Sequence, residues 1–175
     1  MHLPRPAYLV LAITVASVGH GRAAEFHVGG PETKNGLEIV GNYLTRIEMH
    51  PMPPGAAMGP EAVHLEVDIH AAKDEAHGFR EDAWVPYLTI TYTIEKVGSD
   101  FKKTGRLLPM TAGDGPHYAN NIAMGGPGEY RVSYLIEPPS KAGFIRHVDQ
   151  ATGVPEWWAP FTVEWTFTYP SQEKK

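Results

Sequence analysis

The chain has no cysteine anywhere in its 175 residues. Disulfides, thiolate zinc sites and cysteine nucleophiles are therefore excluded, and any metal must be held by His, Met, Asp or Glu. It also has no run of basic residues: 15 Lys and Arg stand against 20 Asp and Glu, a formal net charge of −5. An acidic chain of this kind is a poor partner for nucleic acid or an anionic membrane surface. No segment keeps a helical period, and 16 prolines with 18 glycines work against long helices. The elbow motif of serine hydrolases and the His-Glu-x-x-His motif of metalloproteases are both missing.

One apolar run is present, near the N-terminus. A single charge, Arg5, precedes the uncharged stretch Ala7 to Val18, and small residues follow at Gly21, Ala23 and Ala24. The run is too short to cross the roughly 30 Å hydrocarbon core as a helix. Its order of charged, apolar and small blocks is that of a secretory signal peptide, residues 1–23, with cleavage after Ala23. The mature chain, 24–175, is expected to be one soluble domain with a real core and no membrane insertion.

What the chain has in quantity is alternation. Val63 to His70 alternates apolar and polar for eight residues, and 87–95, 129–137 and 162–169 alternate too, rich in β-branched and aromatic residues. Weaker strands are expected over 37–48 and 105–111. Pro/Gly punctuation at 51–60, 113–116, 125–128 and 138–143 separates them. The pattern predicts an all-β fold, an immunoglobulin-like sandwich.

Candidate chemistry sits on the strand 63–70. Period two sends Val63, Leu65, Val67 and Ile69 to a core and His64, Glu66, Asp68 and His70 to the other face, about 6.6 Å apart along the strand. The plain alternative is a solvated outer face, where charged residues are ordinary. A second cluster places Met110 and His117 on either side of a turn holding Asp114. Thioether with imidazole points to copper; alternatively Met110 is core, His117 is surface and Asp114 only caps its turn. His147 lies in the long connection 138–160, the kind of loop that is often functional, although a lone loop histidine can equally be plain surface. Met49, His50, Met52 and Met58 form a Met-rich, Pro-spaced segment able to hold Cu(I). For its methionines, packing on the sandwich edge is favoured, and His50 stays open. Trp157 and Trp158 read as packing residues, and His27 and His77 as ordinary surface.

The stretches HLEVDIHA, WVPYLTITYTI, LPMTAGDGPHYANNIAM, YRVSYLIEPPSKAG and RHVDQATGVPEWWAPF resemble the periplasmic P19 family, whose members are found beside FTR1-type iron permeases. The resemblance runs from Gly36 to Tyr169 with blocks in order and matching spacing. It implies an immunoglobulin-like sandwich that forms homodimers and binds copper, with a role in iron uptake. The family's copper ligands fall on His64, Met110, His117 and His147, with Ile145 where an earlier histidine of the last segment stands. Its nearby acids fall on Glu66 and Asp114, suited to iron or manganese, and Glu48 matches a further metal-site acid. The departure lies at 46–52, which is richer in Met and His than the family pattern. The implied function is a periplasmic copper- and iron-binding protein serving an inner-membrane permease of FTR1 type. Two alternatives share the ligands: a copper carrier or resistance protein, and a copper-dependent redox enzyme acting on iron.

Overall fold

The alternating segments form strands because their apolar residues have a shared interior to enter. The structure, a computed structural model, describes residues 24–59 and 61–171; the apolar N-terminal run and residues 1–23 as a whole lie outside the described residues. Eight strands follow in order: β1 Glu25–Lys34, β2 Leu37–Thr45, β3 Ala62–Ala71, β4 Thr89–Lys96, β5 Lys102–Ala112, β6 Gly115–Ala123, β7 Gly128–Glu137 and β8 Phe161–Tyr169, with one 3-10 turn at Pro139–Ala142. Neighbours run in the order β1-β2-β3-β6-β5-β4-β7-β8, antiparallel throughout. The fold is all-β, an immunoglobulin-like β-sandwich.

Strand β5 makes the two layers. Its first half pairs with β4, as far as Ile90↔Leu107, and its second half pairs with β6, from Leu108↔Ala119 onward. One layer therefore holds β1, β2, β3 and β6, the other β4, β7 and β8, and β5 crosses between them. Inside lie Val63, Leu65, Val67 and Ile69 of β3 with Ile90, Ile94, Tyr130, Val132, Tyr134 and Ile136 of the facing layer. Each buried aliphatic or aromatic side chain contributes about 1.5–3 kcal/mol by leaving water. On the opposite edge, Trp165 of β8 covers Gly29 and Gly41. A Cβ on Gly29 would stand 2.2 Å from Trp165 Cγ, so only glycine admits this approach.

The strong alternating segments match their strands to within two residues at either end, and β2 stops at Thr45, where Arg46 takes a positive φ of 64°. Two strands are not announced by their sequences. In β1, Gly29, Gly30 and Pro31 interrupt the pattern, and the register shifts there. In β6, Asn120 and Asn121, residues that strands usually avoid, hide the signal. The outer face of β3 is another difference. It is not a solvated face at its N-terminal end, because the β2–β3 connection and the β5–β6 hairpin cover it.

Candidate metal centre

Register brings the site together. In β3, His64 lies opposite Asn121 of β6 and Glu66 opposite Ala119, while His117 of β6 lies opposite Met110 of β5. Ala119 has only a methyl group to place on this row, which leaves room for larger neighbours to lean inward. His64 is 3% exposed, Glu66 7% and His117 7%. The Nε2 atoms of His64 and His117 face each other at 3.4 Å. Glu66 Oε2 lies 3.9 Å from the first and 3.8 Å from the second. One ligand atom from each of these three residues lies within 4.8 Å of the others, the spacing that a shared cation requires.

Asn121 sets the tautomer of His64. Its Nδ2 donates to the carbonyl of Ile47 at 3.0 Å, so its Oδ1 must be the atom 2.7 Å from His64 Nδ1. His64 Nδ1 therefore carries the hydrogen, and the Nε2 lone pair is free and aimed into the site. Burial pushes the His64 pKa below its ordinary 6.5; the Asn121 hydrogen bond opposes this and the neighbouring His117 adds to it. The imidazole is thus kept in the neutral form that ligates.

Glu66 is displaced the other way. Burial, followed by the negative charges of Asp68, Glu25 and Asp114, pushes its pKa up to about 8, and a hydrogen bond with Asn42 offsets part of this. Burial also raises Asp68, against the pull of His117 and His70. Asp68, Glu25 and Asp114 thus stand close enough to act on Glu66, an acidic surrounding that favours a bound cation. The donors and their electrostatics fit a metal ion.

The site floors a cleft of about 870 Å³ lined by His64, Glu66, His117, Met110, Asp114 and Glu48 among others. Of the residues singled out in the sequence, His64, Glu66 and His117 are brought into direct proximity. Met110, Asp114 and Glu48 share the cleft wall. His147 does not line it. That side chain is exposed, with Nδ1 2.8 Å from Thr152 Oγ1 in a loop that Asp149 caps through the N–H groups of Ala151 and Thr152.

Glu25, Asp68, Asn42 and Asn121 were not among the ligand candidates. Asp68 carried a signal, as it shares the His64 face of β3. Glu25 carried none, since only β1–β2 pairing brings it near. His77, read as ordinary surface, is instead largely buried: it stacks on Trp157 at 4.6 Å, with Trp158 edge-on at 5.2 Å.

A two-layer antiparallel sandwich with a histidine pair and a glutamate buried on an outer face defines a class of metal-binding β-sandwich. Comparison with known proteins makes this particular. The family model described as Fe2+ transport protein matches residues 22–171, and the chain belongs to that family. A UPF0423 protein of Brucella abortus (strain 2308) is 40% identical over 177 residues, covering 99% of this chain and 97% of that protein. A copper-bound glutamate-to-glutamine variant of FetP from uropathogenic Escherichia coli strain F11 is 46% identical with a TM-score of 0.81, covering 85% of this chain and 99% of that one. FetP recombinantly expressed in the periplasm of E. coli is likewise similar, at 48% identity and a TM-score of 0.78 over 83% of this chain and 96% of that one. Copper-reconstituted P19 of Campylobacter jejuni is 44% identical with a TM-score of 0.79, covering 86% of this chain and 99% of that one. The resemblance read from the sequence is borne out, and with it a role in iron uptake.

Proposed function

We propose that this chain is a periplasmic protein that binds copper and iron and supplies iron to an inner-membrane permease of FTR1 type. The carrying observation is the pair of buried Nε2 atoms 3.4 Å apart beside Glu66, one of them fixed as a free lone pair by Asn121. Copper takes His64 and His117 with the thioether of Met110, a mixed donor set that suits both Cu(I) and Cu(II). Iron, or manganese, takes the harder oxygens of Glu66 with Asp114, and Glu25 and Asp68 add to the potential that draws it in. Copper-bound relatives and membership of an Fe2+ transport family support this reading. Export rests on the signal-peptide pattern of residues 1–23 and on the relative expressed in the periplasm.

His147 enters the same reading from a second copy. It stands on an exposed loop between Ile145, 87% exposed, and Val148, 75% exposed, apolar residues with no partner in their own chain's core. A homodimer that covers this loop can bring the imidazole to the open mouth of the neighbouring cleft. Exclusive monomer in light scattering of the copper-loaded chain at micromolar concentration counts against this arrangement.

Calorimetry tests the site. His117→Ala should abolish most copper binding, Met110→Leu should weaken Cu(I) more than Cu(II), and Glu66→Gln should impair iron binding while sparing copper. Unchanged copper binding by His117→Ala sinks the proposal.

A further inference from the structure

The segment where the sequence departs from its family forms the rim of the cleft. The connection between β2 and β3 has no regular secondary structure among its described residues and exceeds the length of about 12–15 residues beyond which such loops are usually functional. Met49, His50 and Met52 line the cleft above His64 and His117. Met49 and Met52 also line a smaller hollow of about 350 Å³, which reaches Asn121 and shares His64 with the cleft. Met49 and Met52 therefore border both hollows that reach His64.

Packing does not account for them. A methionine that fills a gap is covered, whereas Met52 is 39% exposed, His50 is exposed and Met49 is only half-buried. Met58, at 78% exposure, lines only the smaller hollow and is left out of the ligand set. The edge-packing expectation for these methionines thus fails at Met52 and Met58. Arg46 and Glu48 lie on the same rim with opposite charges, so neither sign dominates. What is left is two soft sulfurs and an imidazole within four consecutive residues, Met49-His50-Pro51-Met52. The loop is tied to the deep site, since Asn121 holds the carbonyl of Ile47 with one side-chain atom and His64 with the other, and its backbone carbonyl accepts from Ala57 N at 2.9 Å.

We propose that Met49, His50 and Met52 form a second metal site, a Cu(I) docking site at the mouth of the cleft from which the ion passes inward. Thioether and imidazole together select a soft monovalent ion over iron or zinc. Binding at the loop stands independently of the deep centre; only the ion's destination rests on the function proposed above.

The experiment is an anaerobic titration of the full chain with Cu(I) in competition with a chromophoric Cu(I) chelator. Wild type is expected to bind two equivalents and the Met49→Leu/His50→Asn/Met52→Leu chain one, with its Cu(II) binding unchanged as the check on folding. His117→Ala alone should keep the loop equivalent, and combining all four substitutions should leave none. Transfer of Cu(I) from the chelator to the deep site should slow several-fold in the loop variant. Equal Cu(I) stoichiometry in wild-type and loop-substituted chains overturns the loop site, and an unchanged transfer rate overturns its docking role. If His117→Ala loses no copper while the loop variant loses one equivalent, the deep centre fails and the loop site stands.

Discussion

Among the described residues, two histidine–glutamate clusters separate structural from metal-binding chemistry. In the first, His77 Nδ1 lies 2.6 Å from Glu75 Oε1 and its Nε2 3.1 Å from the carbonyl of Glu156. Glu75 also accepts from the backbone N–H groups of His77 and Phe79, and Trp157 and Trp158 enclose the ring. Every polar atom of that pair has a partner, so nothing is left for a ligand. In the second, Glu66 stays 3.8–3.9 Å from both imidazoles, whose Nε2 atoms face each other at 3.4 Å. Satisfied groups make a clamp that pins the 138–160 connection to the loop after β3. Groups that converge on one point, held in place by a supporting amide, make a receptor for a cation.

The largest way to break this contrast is His117→Ala. Loss of a direct ligand should weaken copper binding by more than the 10- to 100-fold typical of losing a supporting partner, measured by competition titration. His77→Ala should do the reverse. Removing one member of a covered pair costs about 3 kcal/mol or more, seen as a lower denaturation midpoint, while copper affinity in the folded protein stays unchanged. Loss of copper binding in His77→Ala would mean that the two pairs are not separate.

Asn121→Ala comes next. It frees the His64 tautomer and the loop carbonyl, and copper affinity should fall by about 10- to 100-fold with the fold retained by circular dichroism. A further effect, seen only through pH, concerns Glu66 in the metal-free protein. Its folded pKa, about 8, lies above its ordinary 4.5, so the stability it contributes is full below 4.5 and lost as pH rises through 8. Glu66→Gln cannot ionise, so its melting temperature should exceed that of wild type at pH 9 and the difference should shrink as pH falls. His64 runs oppositely: its depressed pKa removes stability as pH falls from 6.5 through the folded value, and copper affinity should decline over the same range. A melting-temperature difference for Glu66→Gln that does not change with pH would refute the assignment of Glu66 as a carboxyl forced to stay protonated.

Much of the fold was legible because alternation is a local property. β3, β4, β7 and β8 need only their own residues to show which side is apolar. β1 and β6 were not legible, since a Gly-Gly-Pro interruption and an Asn-Asn pair mask them, and both become strands only through the neighbours that accept their hydrogen bonds. For the site, His64 and Glu66 share one face of one strand and Met110 and His117 share one hairpin, so each pair was visible at short range. The opposed roles of His64 and His77 were not visible. Both are histidines two residues from a glutamate, and nothing local tells a receptor from a clamp.

The sequence by itself determined the strand-rich class, the restriction of metal ligands to His, Met and carboxylates, and the residue types offered on each strand face. It did so through composition and period two, which depend on no distant residue. Tertiary structure decided that His64 and Glu66 on the polar face of β3 are buried, that Asn121 orients His64, that Glu25 and Asp68 bear on Glu66, and that His147 stands away from its own chain's cleft. The physical reason is desolvation. A charge or lone pair acquires its shifted pKa and its appetite for a cation only when other segments remove the water around it, and those segments lie tens of residues away in the chain.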